Sequence, residues 1–384
     1  MENNTTMRRL GDFIRQVDVR NKDLTVTNLV GLSIDKKYIP SVANIVGTDL
    51  SNYKVIRENQ FACSLMQVSR DKKMPIAIYK GVDAIMSPAY PIFEVIDNSV
   101  LLPDYLQLWF VREEFDREAT FYAIGGVRGS LEWGDFCDIK IPVPPIEDQL
   151  AIVARHKAIE HKIDVNHRLI ATLEETARTI YRHTFIDNID PENLPQGWRC
   201  VSISEIAEVN IENISFKDNF TTIDYLDSGS ITNNYISGFQ HLVVGEDEIP
   251  SRAKRKVRYN DIVYSTVRPN LKHFGILKCD ATNLIVSTAF AVIHSITEIP
   301  TEVIYLALTQ QTAIDEFQNI AEMSKATYPS ITADDIMAQK ILLPDNADFS
   351  CFSGIFNMID SLNRWKRRVR LTPSGTRDLT PRAK

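Results

Sequence analysis

The stretch IPVPPIEDQLAIVARHKAIEHKIDVNHRLIATLEETARTIYRHT, Ile141–Thr184, decides how this chain is read. Its first five residues are rigid and extended, because each proline fixes its own backbone and disfavours the helical region for the residue before it. After Pro145 no proline or glycine occurs until Pro191, and Ala, Leu, Ile, Glu, Lys and Arg dominate. Apolar residues recur at Ile152, Ile159, Leu173 and Ile180, with Asn166 in the same register, and again at Ile163, Ile170 and Ala177. These are the two seam positions of a heptad repeat. The spacing predicts one helix of about 38 residues, roughly 57 Å long, which exceeds what a single compact domain needs. It reads as a spacer that packs against a partner helix.

The residues leading into this helix occur twice. SLEWGDFCDIKIPVP (Ser130–Pro144) lies over SITADDIMAQKILLP (Ser330–Pro344) without gaps at an offset of 200. Ser130/Ser330, Asp135/Asp335, Lys140/Lys340, Ile141/Ile341 and Pro144/Pro344 are identical. A weaker echo pairs VDVRN (Val17–Asn21) with VNIEN (Val209–Asn213). Past Pro344, the stretch Phe349–Leu371 offers Phe352, Ile355, Phe356, Ile359 and Leu362 at helical spacing, as the central helix does after Pro144. The plan is domain, helix, domain, helix, one unit used twice. The expected fold is two mixed α/β (α+β) globular domains joined by long antiparallel coiled-coil helices, with a pseudo-two-fold internal repeat. The seam comprises Ile152, Ile159, Ile163, Ile170, Leu173 and Ile180 against Phe352, Ile355, Ile359 and Leu362.

Within the first domain, strands are expected in Leu24–Ile34, Tyr53–Ile56, Phe61–Ser69 and Pro75–Lys80, each a β-branched or aromatic run bounded by turn residues. A helix is expected over Asp104–Arg117, behind Pro103. NIDPENLPQG (Asn188–Gly197) is a linker by composition. In the second domain, Val257–Val267 and Asn283–Ile293 read as strands and Val303–Phe317 as a helix.

The chain has 384 residues and a net charge of −7, which counts against a generic nucleic-acid binder. It contains no run of 18 or more apolar residues, and its start lacks the apolar core of a secretory signal. The five cysteines are scattered, with none at metal-ligand spacing, as suits free thiols in a cytoplasmic protein. No phosphate-binding glycine loop, nucleophile elbow or H-E-x-x-H motif occurs. SPAY (Ser87–Tyr90) reads as a turn at a strand edge. His156, His161 and His167 share a helix but not one face, so neither catalysis nor a metal site is expected.

Positive charge is nonetheless concentrated. Arg252, Lys254, Arg255, Lys256 and Arg258 form one run, and Arg268, Asn270, Lys272 and His273 surround Pro269. In the first domain Arg70, Lys72 and Lys73 cluster, and Arg128 stands in a glycine loop. Arg and Asn side chains can bond guanine and adenine edges bidentately, while Lys mostly meets phosphates.

On VDVRN, SPAYPIFEV, PDYLQLWFVREEFDRE, GGVRGSLEWGDFCDIKIPVPPIEDQLAIV, YSTVRPNL, VSTAFAVI and YPSITADDI, the chain resembles the specificity subunits of type I restriction–modification enzymes, from Met7 to about Leu362. The resemblance implies target-recognition domains over 1–145 and 188–346, a spacer helix over 146–187, a distal helix over 347–371 and a basic, disordered tail over 372–384. Each domain would read one half of a bipartite double-stranded DNA target, and Arg20, Asn21, Tyr328 and Ser330 join the DNA-facing candidates. The chain itself would be non-catalytic. Partners would be two methyltransferase subunits and the restriction/translocase subunits, which carry S-adenosylmethionine, ATP and Mg²⁺. One departure concerns the distal helix: Pro373, Gly375 and Pro381 limit it, so it should run about 22 residues where family members match the first helix in length. Alternatives are a coiled-coil scaffold with protein-binding ends and the specificity part of a fused restriction enzyme.

Overall fold

The computed structural model describes residues 7–41, 47–66, 68–124, 129–215, 217–323, 328–345 and 347–368, with the side chains of the last helix described as far as Trp365. The chain divides into two compact units, with the cut between Asp164 and Val165. In the first unit the strands are β1 (Met7–Arg9), β2 (Ile14–Val17), β3 (Val30–Leu32), β4 (Tyr38–Pro40), β5 (Lys54–Ile56), β6 (Phe61–Cys63), β7 (Ile76–Ile78), β8 (Ala84–Met86), β9 (Ile92–Val95) and β10 (Lys140–Pro142). Its helices are α1 (Val68–Asp71), α2 (Pro103–Phe110), α3 (Glu113–Ala123) and α4 (Trp133–Asp138), followed by α5 (Ile146–Phe185), which continues into the second unit.

The second unit holds β11 (Trp198–Ser202), β12 (Ala207–Val209), β13 (Thr222–Leu226), β14 (Ile231–Thr232), β15 (Tyr235–Ile236), β16 (Gln240–Val243), β17 (Ala253–Lys256), β18 (Ile262–Ser265), β19 (Phe274–Ile276), β20 (Leu284–Ser287), β21 (Phe290–Ser295) and β22 (Lys340–Pro344). Its helices are α6 (Ile203–Ile206), α7 (Thr301–Leu308), α8 (Gln311–Met323), α9 (Ala333–Met337) and α10 (Ser350–Arg368).

The duplication holds in one four-stranded sheet and in the strand pair that leads into each long helix. One four-stranded sheet has the order β2-β9-β6-β7 in the first unit and β12-β21-β18-β19 in the second. β1 pairs antiparallel with β10, placing Arg9 opposite Lys140, and β11 pairs with β22, placing Ser202 opposite Lys340. The next backbone bond repeats as well, Leu10 N–H to the Ile139 carbonyl and Ile203 N–H to that of Gln339. The offset of 200 is therefore a structural register. The VDVRN/VNIEN echo is one residue out, because Arg20 bridges Lys54 while Asn213 bridges Arg255. Val17 thus corresponds to Asn210 rather than Val209. In a strand, a slip of one residue moves every side chain to the opposite face.

Several expected elements divide in two. The run Asp104–Arg117 forms α2 and α3, with Arg112 in an extended conformation between them. In one continuous helix Phe110 and Phe115 would point about 140° apart, at roughly 100° per residue. The break lets both reach the same core, their rings 5.0 Å apart. Val303–Phe317 divides likewise into α7 and α8. The apolar run Asn283–Ile293 becomes β20 and β21, in different sheets. Phe61–Ser69 is strand only to Cys63, Leu24–Ile34 only over Val30–Leu32, and Val257–Val267 only over Ile262–Ser265.

Helix α5 is 40 residues long, about 60 Å at 1.5 Å per residue, and α10 is 19. The buried positions of α5 follow the expected seam only in part. Asn166 and Ala177, both in its register, are buried, but so are Gln149, Val153, Tyr181 and Phe185 outside it, whereas Ile159 and Ile163 are only half-buried. Ile152 packs on the core of the first unit, and Ile170, Leu173 and Ile180 on that of the second. Within the second unit α10 runs antiparallel to the last turns of α5, with Phe352 near Tyr181 and Phe349 near Phe185. Phe356 of α10 turns instead to Tyr305 of α7. Phe352, Ile355 and Ile359 are buried and Leu362 is half-buried. The seam reading is corrected accordingly: the ends of α5 are glued to domain cores, so full heptad burial along its length is unnecessary.

Candidate nucleic-acid interface

In the second unit β18 ends in a loop whose backbone is held in an uncommon shape. Arg268 and Lys272 both take left-handed conformations, on either side of Pro269. Such conformations are disfavoured for residues with a Cβ and persist where the surroundings impose them. The constraint comes from the segment after α8. Arg268 N–H donates to the Pro329 carbonyl at 3.0 Å, Ile331 N–H to that of Thr266 at 2.9 Å, and Val267 bridges Ser330. The Arg268 guanidinium lies over the Tyr328 ring, 5.4 Å from its centroid. Both side chains are exposed. The backbone amide of Asn270 donates to Gln318, leaving the exposed Asn270 side chain projecting from an anchored main chain.

Not every candidate near this loop is available. Lys272 Nζ donates to Gln311 Oε1 at 2.9 Å. His273 Nδ1 donates to the Ile231 carbonyl at 2.6 Å and lies 3.2 Å from Thr232 Oγ1. Ser330 is half-buried beneath the loop. Arg268, Asn270 and Tyr328 are thus brought together and presented outward.

The basic run before β18 separates into two sets. Lys256 is ion-paired with Asp218, and Arg258 with Glu212. Arg252 and Lys254 are exposed, and Arg255 is half-buried in β17. The turn at Thr288–Ala289 ties this run to the Arg268 loop, since Thr288 N–H meets the Arg252 carbonyl and Thr266 N–H meets that of Ala289.

The first unit repeats the framework with other residues. Leu131 N–H donates to the Leu65 carbonyl at 2.8 Å, as Ile331 does to Thr266. Gly129, at positive φ, lies against Ser69, where a Cβ would meet the hydroxyl. Lys72 is left-handed, as Lys272 is, and exposed. Arg70 is paired with Asp71 at 2.6 Å, and Lys73 lies 4.0 Å from Asp35. Arg20 is held by Asp18 and the Asn52 carbonyl. Asn21 is buried and closes its own loop, donating to the Val26 carbonyl and accepting from the Val26 amide. It is removed from the base-reading candidates for that reason. Arg128 lies outside the described residues, as does the tail 372–384.

One repeated feature escaped the sequence reading. Asn59 and Asn260 are both left-handed, and each precedes a buried polar residue at the start of the central strand. Gln60 donates to Glu94 at 2.9 Å in the first unit. In the second, Asp261 meets His294 Nδ1 at 2.8 Å and accepts the Arg258 amide. Burial pushes the Asp261 carboxyl above its ordinary range, against the opposing pull of the Arg258 amide and His294. The Gln60 amide, followed by Arg15, instead holds Glu94 below its own. The matching Arg57-x-Asn59 and Arg258-x-Asn260 would have revealed the pair at an offset of 201. Asp261 and His294 line a cavity of about 310 Å³ together with Lys256, Arg258, Asp218 and Phe220. Among the described residues no three His, Cys, Asp or Glu side chains are grouped to hold a metal ion, and no helix is long and apolar enough to cross a membrane. Among the described residues the five cysteines form no disulfide.

No family model matches the chain. Over 153 residues, 38% of this chain, it is 29% identical to the type I restriction enzyme HindI specificity subunit of Haemophilus influenzae (strain ATCC 51907 / DSM 11121 / KW20 / Rd). The match spans about a third of that relative's length (32%). Among solved structures, the S subunit of a type I restriction–modification system from M. genitalium superposes with a TM-score of 0.55 at 12% identity, covering 99% of this chain and 98% of that one. The HsdS subunit from Thermoanaerobacter tengcongensis matches with a TM-score of 0.36 at 16% identity, covering 97% and 94%. The duplicated α/β architecture carried by a long helix is therefore the fold of the type I restriction–modification specificity subunits, the family this sequence resembles.

Proposed function

We propose that this chain is the DNA-specificity subunit of a type I restriction–modification complex. Each unit reads one half of a bipartite target, and the chain directs methyltransferase and restriction subunits to it. One observation carries the reading. The two units share the strand order and register of one four-stranded sheet, yet the anchored loop after its central strand presents Arg268, Asn270 and Tyr328 in the second unit and a different set in the first. A common framework with exchanged loop chemistry is what two half-sites of different sequence require. On this reading α5 sets the length of the unread gap, and the chain supplies recognition without catalysis. Methyl transfer, translocation and cleavage belong to partner subunits that bind S-adenosylmethionine, ATP and Mg²⁺.

The test is adenine methylation mapped genome-wide in cells that express the partner subunits, with and without this chain. A bipartite methylated motif that vanishes with the chain supports the proposal, and a methylome unchanged by its loss contradicts it. A scaffold with protein-binding ends would also fail to retain DNA in a salt-dependent way.

A further inference from the structure

We infer that Arg255 is an oxyanion site of the phosphate class, present in the second unit and not in the first. The Arg255 side chain is half-buried on β17, and its Nε is buried without a hydrogen-bond partner. Among the described residues it makes no ion pair, in contrast to Lys256 and Arg258 close by. Burial alone disfavours its charge, with no acid acting in opposition. A lysine so placed can shed its proton, but a guanidinium stays charged. The remaining remedy is an anion from outside, and a planar guanidinium fork matches phosphate oxygens. Arg252 and Lys254, exposed on the same run, add positive charge of their own.

The first unit supplies the comparison. Lys54 occupies the position of Arg255, since Lys54 bridges Arg20 as Arg255 bridges Asn213. The neighbouring bonds agree: Val55 N–H to the Val19 carbonyl corresponds to Lys256 N–H to that of Glu212. Lys54 is provided for internally, donating to the Tyr90 carbonyl at 3.0 Å with Asp18 at 4.0 Å. By the same register Asp18 corresponds to Ile211, so the second unit has lost the acid while keeping the cation. The anion has two sources, a DNA backbone phosphate or free phosphate. The first rests on the specificity-subunit reading and the second does not.

The experiment melts the full-length chain in sodium phosphate and in sodium chloride at matched ionic strength and pH, comparing wild type, Arg255→Gln and Ile211→Asp. Phosphate should raise the wild-type melting temperature more than that of either variant. Ile211→Asp restores the acid of the first unit and leaves Arg255 in place, so it decides the matter should Arg255→Gln fold poorly. Equal responses in wild type and Ile211→Asp overturn the inference. A second arm titrates duplex DNA against salt. If the anion is a DNA phosphate, a fourfold rise in salt should cost Arg255→Gln about three- to fourfold less affinity than wild type, the share of roughly one contact. An unchanged slope beside a phosphate-specific melting difference supports the site with free phosphate as its ligand. A chain that binds no DNA contradicts the specificity reading, and the melting comparison still decides the site.

Discussion

Arg268 combines a left-handed backbone, a carbonyl anchor at Pro329 and a guanidinium resting on Tyr328. Stacking on the ring restrains the guanidinium plane before any partner arrives, which lowers the ordering cost of a bidentate contact. Arg268→Ala should therefore relax recognition at one position of one half-site, at a cost of about 1–3 kcal/mol. Binding selection from a randomised duplex pool reads this directly, and uniform weakening across all sequences would mark a phosphate contact instead. The Asp261 carboxyl makes a different prediction. Its folded value is raised by burial, so between the ordinary carboxylate range and that raised value the folded state binds more protons than the unfolded. Stability from this group then falls as pH rises through the window. Urea unfolding across the acidic range should show that Asp261→Asn removes this part of the decline. A wild type and a variant with parallel pH profiles would refute the role of burial at this site. Such assignments were out of reach of the sequence, because the partners of these residues are far away along the chain. Glu212 neutralises Arg258 and Asp218 neutralises Lys256, so a basic run in the sequence becomes a mixed set of paired and unpaired cations in the fold.

At the scale of elements, the legible features were those with a local cause. Pro145 and the absence of helix breakers up to Pro191 announced α5, and the repeated strand before each helix announced the duplication. The break between α2 and α3 was not legible, since it answers to burial of Phe110 and Phe115 in one core and not to a proline or glycine. Nor was the division of labour along α5. The heptad pattern puts Ile159 in the seam and passes over Phe185, whereas the structure half-buries the first and stacks the second against Trp198, Phe349 and Phe352. Phe352→Ala should accordingly cost about 3–5 kcal/mol, a large aromatic removed from a packed core, with the loss confined to the second unit. Ile159→Ala should cost distinctly less. Hydrogen exchange resolved along the chain separates the two outcomes, and equal destabilisation would restore the uniform coiled-coil reading. Among the described residues the distal helix runs Ser350–Arg368, 19 residues against 40 for α5. Its inward residues, Phe352, Phe356 and Ile359, serve the second unit's own core.

For the whole molecule, the account turns on one framework used twice with loops that vary independently. The likeness to a solved S subunit supports the framework, and the equivalence of β1–β10 with β11–β22 supports the duplication. Independence of the two readers follows if each unit carries its own core and its own anchored loop, as the separate hydrophobic clusters indicate. The most direct measurement is the methylated motif produced with partner subunits by wild type and by a chain in which only the segment 265–272 and residues 324–330 of the second unit are replaced by those of a related recognition domain. The account predicts a bipartite motif in which one half changes while the other half and the gap length stay fixed. A motif altered in both halves, or one with a changed gap, would contradict it.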